Sequence, residues 1–455
     1  MPAIITDRFK KEVLLSLQAD IDSADNYYYV AVGRPIDWNA NDDAPTPSNS
    51  IRTIRDAQYN MTAVKNVEAH SFVVPRYSWA LGAIYQAYND NSVGHPSNSF
   101  YVITDENNIY VCLEAGKNAQ GQSVTSTVKP TGTLNTAFET ADGYVWKFLY
   151  SVGALRASQF LSANFMPVTK FGAFDSDDPA DHVEQVGIQN AAVPGEVVGY
   201  QVTGGGTGYT TVPTVNVVGS GTGASATATI SGGAVTKVEV KDSDGAKAHG
   251  RNYTFAHVDI VGGNGAGAKV RPIIGPKAGF GADPRDDLKA TAIMFTAKPA
   301  GAEGSNWVVG NDFRQVALIK NIEVPNTDNP FTGITGNALR RMEFSTINVD
   351  FSVDKTISGD TSLAKAYVVK ADSDTVWYIQ DSDTQFQPFT EGEVISEDNG
   401  SGSGVLEADG TDGDSYAYVD GDVDITTGEV MYIDNRAAIQ RSADQTEDIK
   451  IIIQL

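Results

Sequence analysis

The chain has 455 residues, and 57 acidic against 33 basic side chains give it a formal net charge of −24. That length allows two to four domains with a sizeable core. The charge argues against nucleic-acid binding, because neutralising phosphates takes clustered lysine and arginine. The single cysteine, Cys112, excludes an internal disulfide framework, and no stretch reaches the ~18 apolar residues of a membrane span. A soluble chain assembled in a reducing cytoplasm is expected, with no membrane insertion.

In chain order, the opening MPAIITDRFKKEVLLSLQAD lacks the continuous apolar run of a signal peptide. Asp7 can cap a helix with Phe9, Val13, Leu14 and Leu17 on one face. Ser50 can cap a second, with Ile51, Ile54, Met61 and Val64 at helical spacing. Most of the remainder reads as strand, for example at 27–32, 101–103, 109–113, 144–152 and 315–319, among 44 glycines and many polar turns. Cys112 sits in the apolar run IYVCLEA and reads as a core thiol, not a nucleophile.

The segment 190–280 differs in kind: it holds 19 of the 44 glycines and repeats itself. GYTTVPTVNVVGSGTGASA, from Gly208, is echoed by RNYTFAHVDIVGGNGAGAK, from Arg251. The counterparts are Tyr209 and Tyr253, Val215 and Val258, Val217 and Ile260, and Gly219 and Gly262. Each copy alternates apolar and polar residues and closes on glycines, as in hairpins burying one face. With the hairpin-like insert SGGAVTKVEV, the segment predicts a small β-sandwich or barrel. A weaker repeat follows in 321–427, where Phe351 matches Phe389 and Ile357 matches Ile395. That segment has 21 acidic and 5 basic residues, 16 of the 24 net negative charges, and reads as an outward-facing, solvated β-module.

Tests for chemistry return little. There is no G-x-S-x-G, and GSGSG at 400–404 places Gly402 where a nucleophile would stand. The five histidines (His70, His95, His182, His249 and His257) show no metal-ligand spacing. The glycine runs at 204–208 and 219–223 lack the lysine and the helix of a phosphate loop. Neither an enzyme nor a cofactor is expected. The one metal candidate is calcium, on Asp409, Asp412, Asp414, Asp420, Asp422 and Asp424, oxygen ligands set among glycines. Trp377, Tyr378, Tyr416 and Tyr418 could offer a carbohydrate surface, although alternation sends one aromatic of each pair into a core.

Five motifs, in order, resemble the wedge protein of the T-even-type baseplate of contractile-tailed bacteriophages. Near the start, Gly33, Arg34 and Trp38 occupy a strand-to-turn G-R-x-x-x-W element. Pro75, Arg76 and Trp79 fill V-x-P-R-x-x-W, and Asp142, Gly143, Tyr144, Val145 and Trp146 spell D-G-Y-V-W. FRQVALIKN at 313–321 resembles a further strand. The end of the chain carries the most specific match, with Tyr432, Asn435, Arg436, Asp444, Gln445, Thr446 and Glu447 in G-E-x-x-Y-x-x-N-R…D-Q-T-E-D-I. On residues alone this end reads as strands at 429–433 and 449–455 joined by a charged connection.

The resemblance implies a mainly β fold: layered β-sandwich core domains, a few short helices near the N-terminus and two inserted small β-modules. The expected division is 1–189 wedge core, 190–280 glycine-rich insert, 281–320 core, 321–427 acidic insert and 428–455 closing core strands. It further implies a structural virion protein of the tail baseplate, of the myovirus type and in a cyanophage-like version, assembled in the host cytoplasm. The implied partners are a second copy, as a homodimer, and other wedge subunits, with baseplate rearrangement following host attachment. The alternative is a virion-displayed receptor- or carbohydrate-binding protein with its sites on the inserted modules.

Overall fold

The structure is a computed structural model that describes residues 4–173, 178–242, 244–408 and 419–455. Strands hold 39% of the chain and helices 11%, so the protein is mainly β. The first helix, Asp7–Ile21, is capped by Thr6 and not by Asp7: the Thr6 hydroxyl accepts the Phe9 amide at 3.2 Å. Ser50 caps Ile51–Tyr59 by accepting the Thr53 amide at 3.2 Å. Met61 and Val64, expected on that helix, belong instead to the strand Met61–Asn66. Asn60 closes the helix by returning its amide to the Asp56 carbonyl, and the strand beyond is buried on both faces. The helices are also not confined to the amino-terminal region. Ala154–Phe160, Ala180–Asn190 and Pro284–Asp287 lie beyond it.

The chain divides into two compact units. One comprises Met1–Leu15, Ser71–Met294 and Ile452–Leu455; the other comprises Ser16–His70 and Phe295–Ile451. In the first unit, a sheet runs in the order Tyr101–Ile103, Asn108–Glu114, Val145–Ser151, Phe138–Glu139. Its core gathers Tyr85, Tyr110, Cys112, Tyr144, Trp146 and Phe148. Cys112 is wholly buried there, and burial pushes its thiol pKa well up.

The glycine-rich module, also in the first unit, is built by exchange between the two repeat copies. Thr214–Gly219 pairs antiparallel with Ala256–Val261, placing Val215 opposite Ile260 and Val217 opposite Val258. Val215 is the repeat counterpart of Val258 and Val217 that of Ile260, so the ladder maps onto itself when the copies are swapped. The flanking ladders follow the same rule. Thr222–Ala224 pairs with His249–Arg251, and Val197–Thr207 with Ala266–Ile274. Gly206 and Gly250, both with φ of 64°, hold equivalent left-handed positions. Tyr209 lies on Gly265 and Tyr253 on Gly221, where a Cβ would come within 2.5 Å of the ring. The expected hairpin within each copy is therefore replaced by pairing between copies. Among the described residues of the module, only the insert forms a hairpin of its own, Thr227–Ser231 with Ala234–Glu239.

In the second unit, five strands run in the order Thr335–Asn337, Met61–Asn66, Tyr28–Gly33, Asp312–Lys320, Glu429–Gln440. Tyr29, Ala31, Val64, Ala317, Ile319 and Ile425 form its core. Six further strands close into a barrel: Arg340–Val349, Thr375–Ile379, Lys365–Ala371, Thr356–Gly359, Val394–Glu397 and Ser403–Leu406. The repeat counterparts Phe351, Phe389, Ile357 and Ile395 all point into the barrel. Ile357 faces Glu397 while Gly359 faces Ile395, so this ladder too is symmetric under exchange of the copies.

Candidate functional site

The features that stand out in the second unit converge on its last long strand. Glu429–Gln440, at 12 residues, is the edge of the five-stranded sheet and, among the described residues, pairs with Asp312–Lys320 alone. Its ladder is regular from Lys320↔Glu429 to Gln315↔Asn435 apart from one shift, then bulges before Phe313↔Ile439. With no second strand partner among the described residues, its outer edge can serve as a template for another strand. Beside it, Phe313, Val316, Tyr432 and Ile439 line a groove of about 340 Å³ that also takes in Glu447–Ile451. Burial, then the nearby Asp434 carboxylate, holds the Tyr432 hydroxyl pKa up.

The turn after Tyr28–Gly33 braces this strand. Trp38 donates its indole N–H to the Arg436 carbonyl at 3.0 Å, and Asn435 spans from Gln315 (2.7 Å) to the Pro45 carbonyl (3.0 Å). Arg34, at φ 59°, lays its guanidinium 4.9 Å from the Trp38 ring centre and 3.6 Å from Asp381. Two motifs some 400 residues apart in sequence thus meet in one framework. The Arg436 side chain stays half exposed, 3.8 Å from Asp434.

The residue that organises this turn is Arg314, which the sequence reading placed only within a strand. Its buried guanidinium reaches Asp37 (2.6 Å), Asp42 (2.8 Å), Asp312 (3.1 Å) and the Pro35 carbonyl (2.6 Å). The Trp38 amide first, and Arg314 with it, hold the Asp42 carboxyl below the usual range. An Arg two residues beyond an Asp on a strand was the only hint of this cluster in the sequence.

The closing D-Q-T-E forms a structured connection. The Gln445 carbonyl accepts the Gly301 amide at 2.8 Å, Thr446 bridges to Ala300, and the Glu447 amide donates to Pro299 at 3.0 Å. Glu447 lies 2.9 Å from the guanidinium of Arg441, which is 2% exposed and sits over the Trp307 ring. Burial raises the Glu447 pKa, with Arg441 opposing. Asp444 is exposed.

The other two motifs serve the first unit. The Pro75 carbonyl accepts the Tyr101 hydroxyl, Arg76 donates to the Ser162 carbonyl at 3.0 Å, and Trp79 donates to Ser126 at 3.1 Å. Asp142 accepts the Thr127 and Val128 amides at 2.7 and 2.9 Å. Burial would raise its pKa, but the bonds from Thr140, Val128, Thr127 and Ser126 outweigh it and leave the carboxyl low. Gly143 makes the turn at φ 81°, and Tyr144 stacks on the fully buried Trp146 at 5.7 Å.

Of the calcium candidates, Asp409, Asp412 and Asp414 lie outside the described residues, as do Tyr416 and Tyr418. Asp420 approaches Arg340 at 3.4 Å, Asp422 accepts the Asn337 amide, and Asp424 accepts the Thr426 amide and hydroxyl. Among the described residues no cluster of three or more His, Cys, Asp or Glu is placed to hold a metal. Tyr378 is buried in the barrel, while Trp377 is half-buried beneath Lys370 at 4.0 Å. No helix among the described residues is long and apolar enough to cross a membrane. No protein-family model and no curated protein matches this chain.

Proposed function

We propose that the chain is a structural subunit of a contractile-tail baseplate wedge in a phage virion, working through paired surfaces and not through catalysis. The observation that carries this reading is the open edge of Glu429–Gln440, which bears the most specific of the five motifs. A long edge strand with Met431 41% exposed is a liability in an isolated protein and a natural seat for a neighbour. Trp38, Asn435 and Arg314 stiffen the backing of that edge, as a load-transmitting contact requires. On this reading the partners are a second copy and other wedge subunits, and baseplate rearrangement shifts or releases the edge contact.

The test is sedimentation of the purified full chain beside Met431→Lys, a charge placed on the exposed edge. The wild type is expected to self-associate. The variant is expected to be monomeric with an unchanged melting temperature, because residue 431 is solvent-facing. A monomeric wild type, or association indifferent to the lysine, would remove the edge strand from the argument.

A further inference from the structure

An unassigned feature of the first unit is a cleft of about 240 Å³ where Asn108–Glu114 and the segment just beyond it meet the glycine-rich module. Three charged side chains line it: Glu114, Lys117 and Lys237. Two of them are answered within the chain, Glu114 by Lys247 at 3.4 Å and Lys237 by Glu239 at 2.9 Å. Lys117 is half-buried and has no acceptor among the described residues. Burial, and then Lys237, press its ammonium pKa downward, with the Glu114 carboxylate opposing. A partly desolvated cation with no direct acceptor, reached only by the field of Glu114, gains when an anion arrives.

The rest of the lining narrows the class of anion. Leu113, Val238 and Ile273 give an apolar wall, and the exposed Gln86 and Asn98, whose side-chain amides have no hydrogen-bond partner among the described residues, also line the cleft. A bare inorganic anion would satisfy Lys117 but would leave the wall and the amides idle. The volume lies below the ~300–1,000 Å³ typical of drug-sized ligands, which suits a single ring. We infer that the cleft binds a sugar carrying a carboxylate, a residue of the uronic-acid class. Its carboxylate meets Lys117, its hydroxyls meet the amides, and its C–H face lies on the apolar wall. This inference is independent of the edge-strand contact.

The experiment titrates D-galacturonate, D-galactose and phosphate into the full chain, followed by calorimetry and saturation-transfer NMR. Saturable galacturonate binding is expected, at least about tenfold tighter than galactose or phosphate, the worth of one charge-assisted hydrogen bond. Lys117→Met is expected to reduce galacturonate to the galactose level with melting unchanged, and Lys117→Arg to retain most of the binding. No saturation with galacturonate, equal binding of all three probes, or full binding by a folded Lys117→Met variant would overturn the assignment. The three-probe comparison stands on the wild type alone if the methionine variant does not fold.

Discussion

Replacing Gly265 by alanine tests the exchanged-copy architecture of the glycine-rich module. A Cβ at 265 would lie 2.5 Å from Tyr209 Cγ, 2.6 Å from Cδ2 and 2.6 Å from the Tyr209 backbone nitrogen. Carbon contacts prefer 3.5–4.0 Å, and because one neighbour is backbone, swinging the ring away does not relieve the clash. Overpacking of this kind costs ~1–3 kcal/mol, with the upper part expected here. Reduced freedom of the unfolded chain returns about 0.4–1 kcal/mol. The net loss is about 2 kcal/mol, or a fall of roughly 1 M in the urea midpoint at ordinary m-values. Gly221→Ala should match it, since its Cβ would meet Tyr253 at the same 2.5 Å. Gly262, at φ 81° with nothing within 4 Å, is the control, expected to lose only the ~1 kcal/mol of a left-handed alanine. Hydrogen exchange of the amides in 197–274 under rising urea reads the module directly. A neutral or stabilising Gly265→Ala would refute the tyrosine-on-glycine packing and the strand exchange built on it.

Three further outcomes are expected. Arg314→Met should destabilise the second unit by roughly 2–4 kcal/mol in urea melts, because several charge-assisted bonds go at once; the 67% exposure of Asp37 keeps the loss below their sum. Asp287 is fully buried, with one oxygen accepting the Gly281 amide and the other unpartnered, and burial holds its pKa well above 3.8. The folded state therefore binds its proton more tightly than the unfolded state, so stability falls as pH rises above 3.8 towards the folded value. Asp287→Asn should gain on the wild type through that window and show no pH-dependent advantage below it, as measured by melting across a pH series. Cys112, wholly buried, should resist a thiol reagent in the native chain and react once on unfolding; rapid native labelling would contradict its place in the core.

Strand content was legible because short alternating runs between glycines leave little else to form, and Tyr28–Gly33, Asn108–Glu114 and Asp312–Lys320 lie where the pattern puts them. The helix at Ser50 was legible through its cap, but its end was not. Met61 and Val64 continue the helical spacing by coincidence, and only the burial of Met61–Asn66 between two other strands makes them β. Both repeats could be seen, yet their partners could not. Matching side chains identify equivalent positions without saying whether a copy pairs with itself or with its twin. The open edge at Glu429–Gln440 and the Arg314 cluster depend on long-range neighbours such as Asp37 and Asp42, which no local pattern names. The cleft around Lys117 is legible only once Glu114 and Lys237 are seen to be paired elsewhere.

A cryo-electron microscopy map of intact virions decides whether the chain has the proposed place in the tail baseplate. This chain is expected in the baseplate wedge, with the edge of Glu429–Gln440 covered by a neighbouring subunit. Density for it in the capsid or neck and none in the baseplate, or a baseplate position with that edge open to solvent, would contradict it.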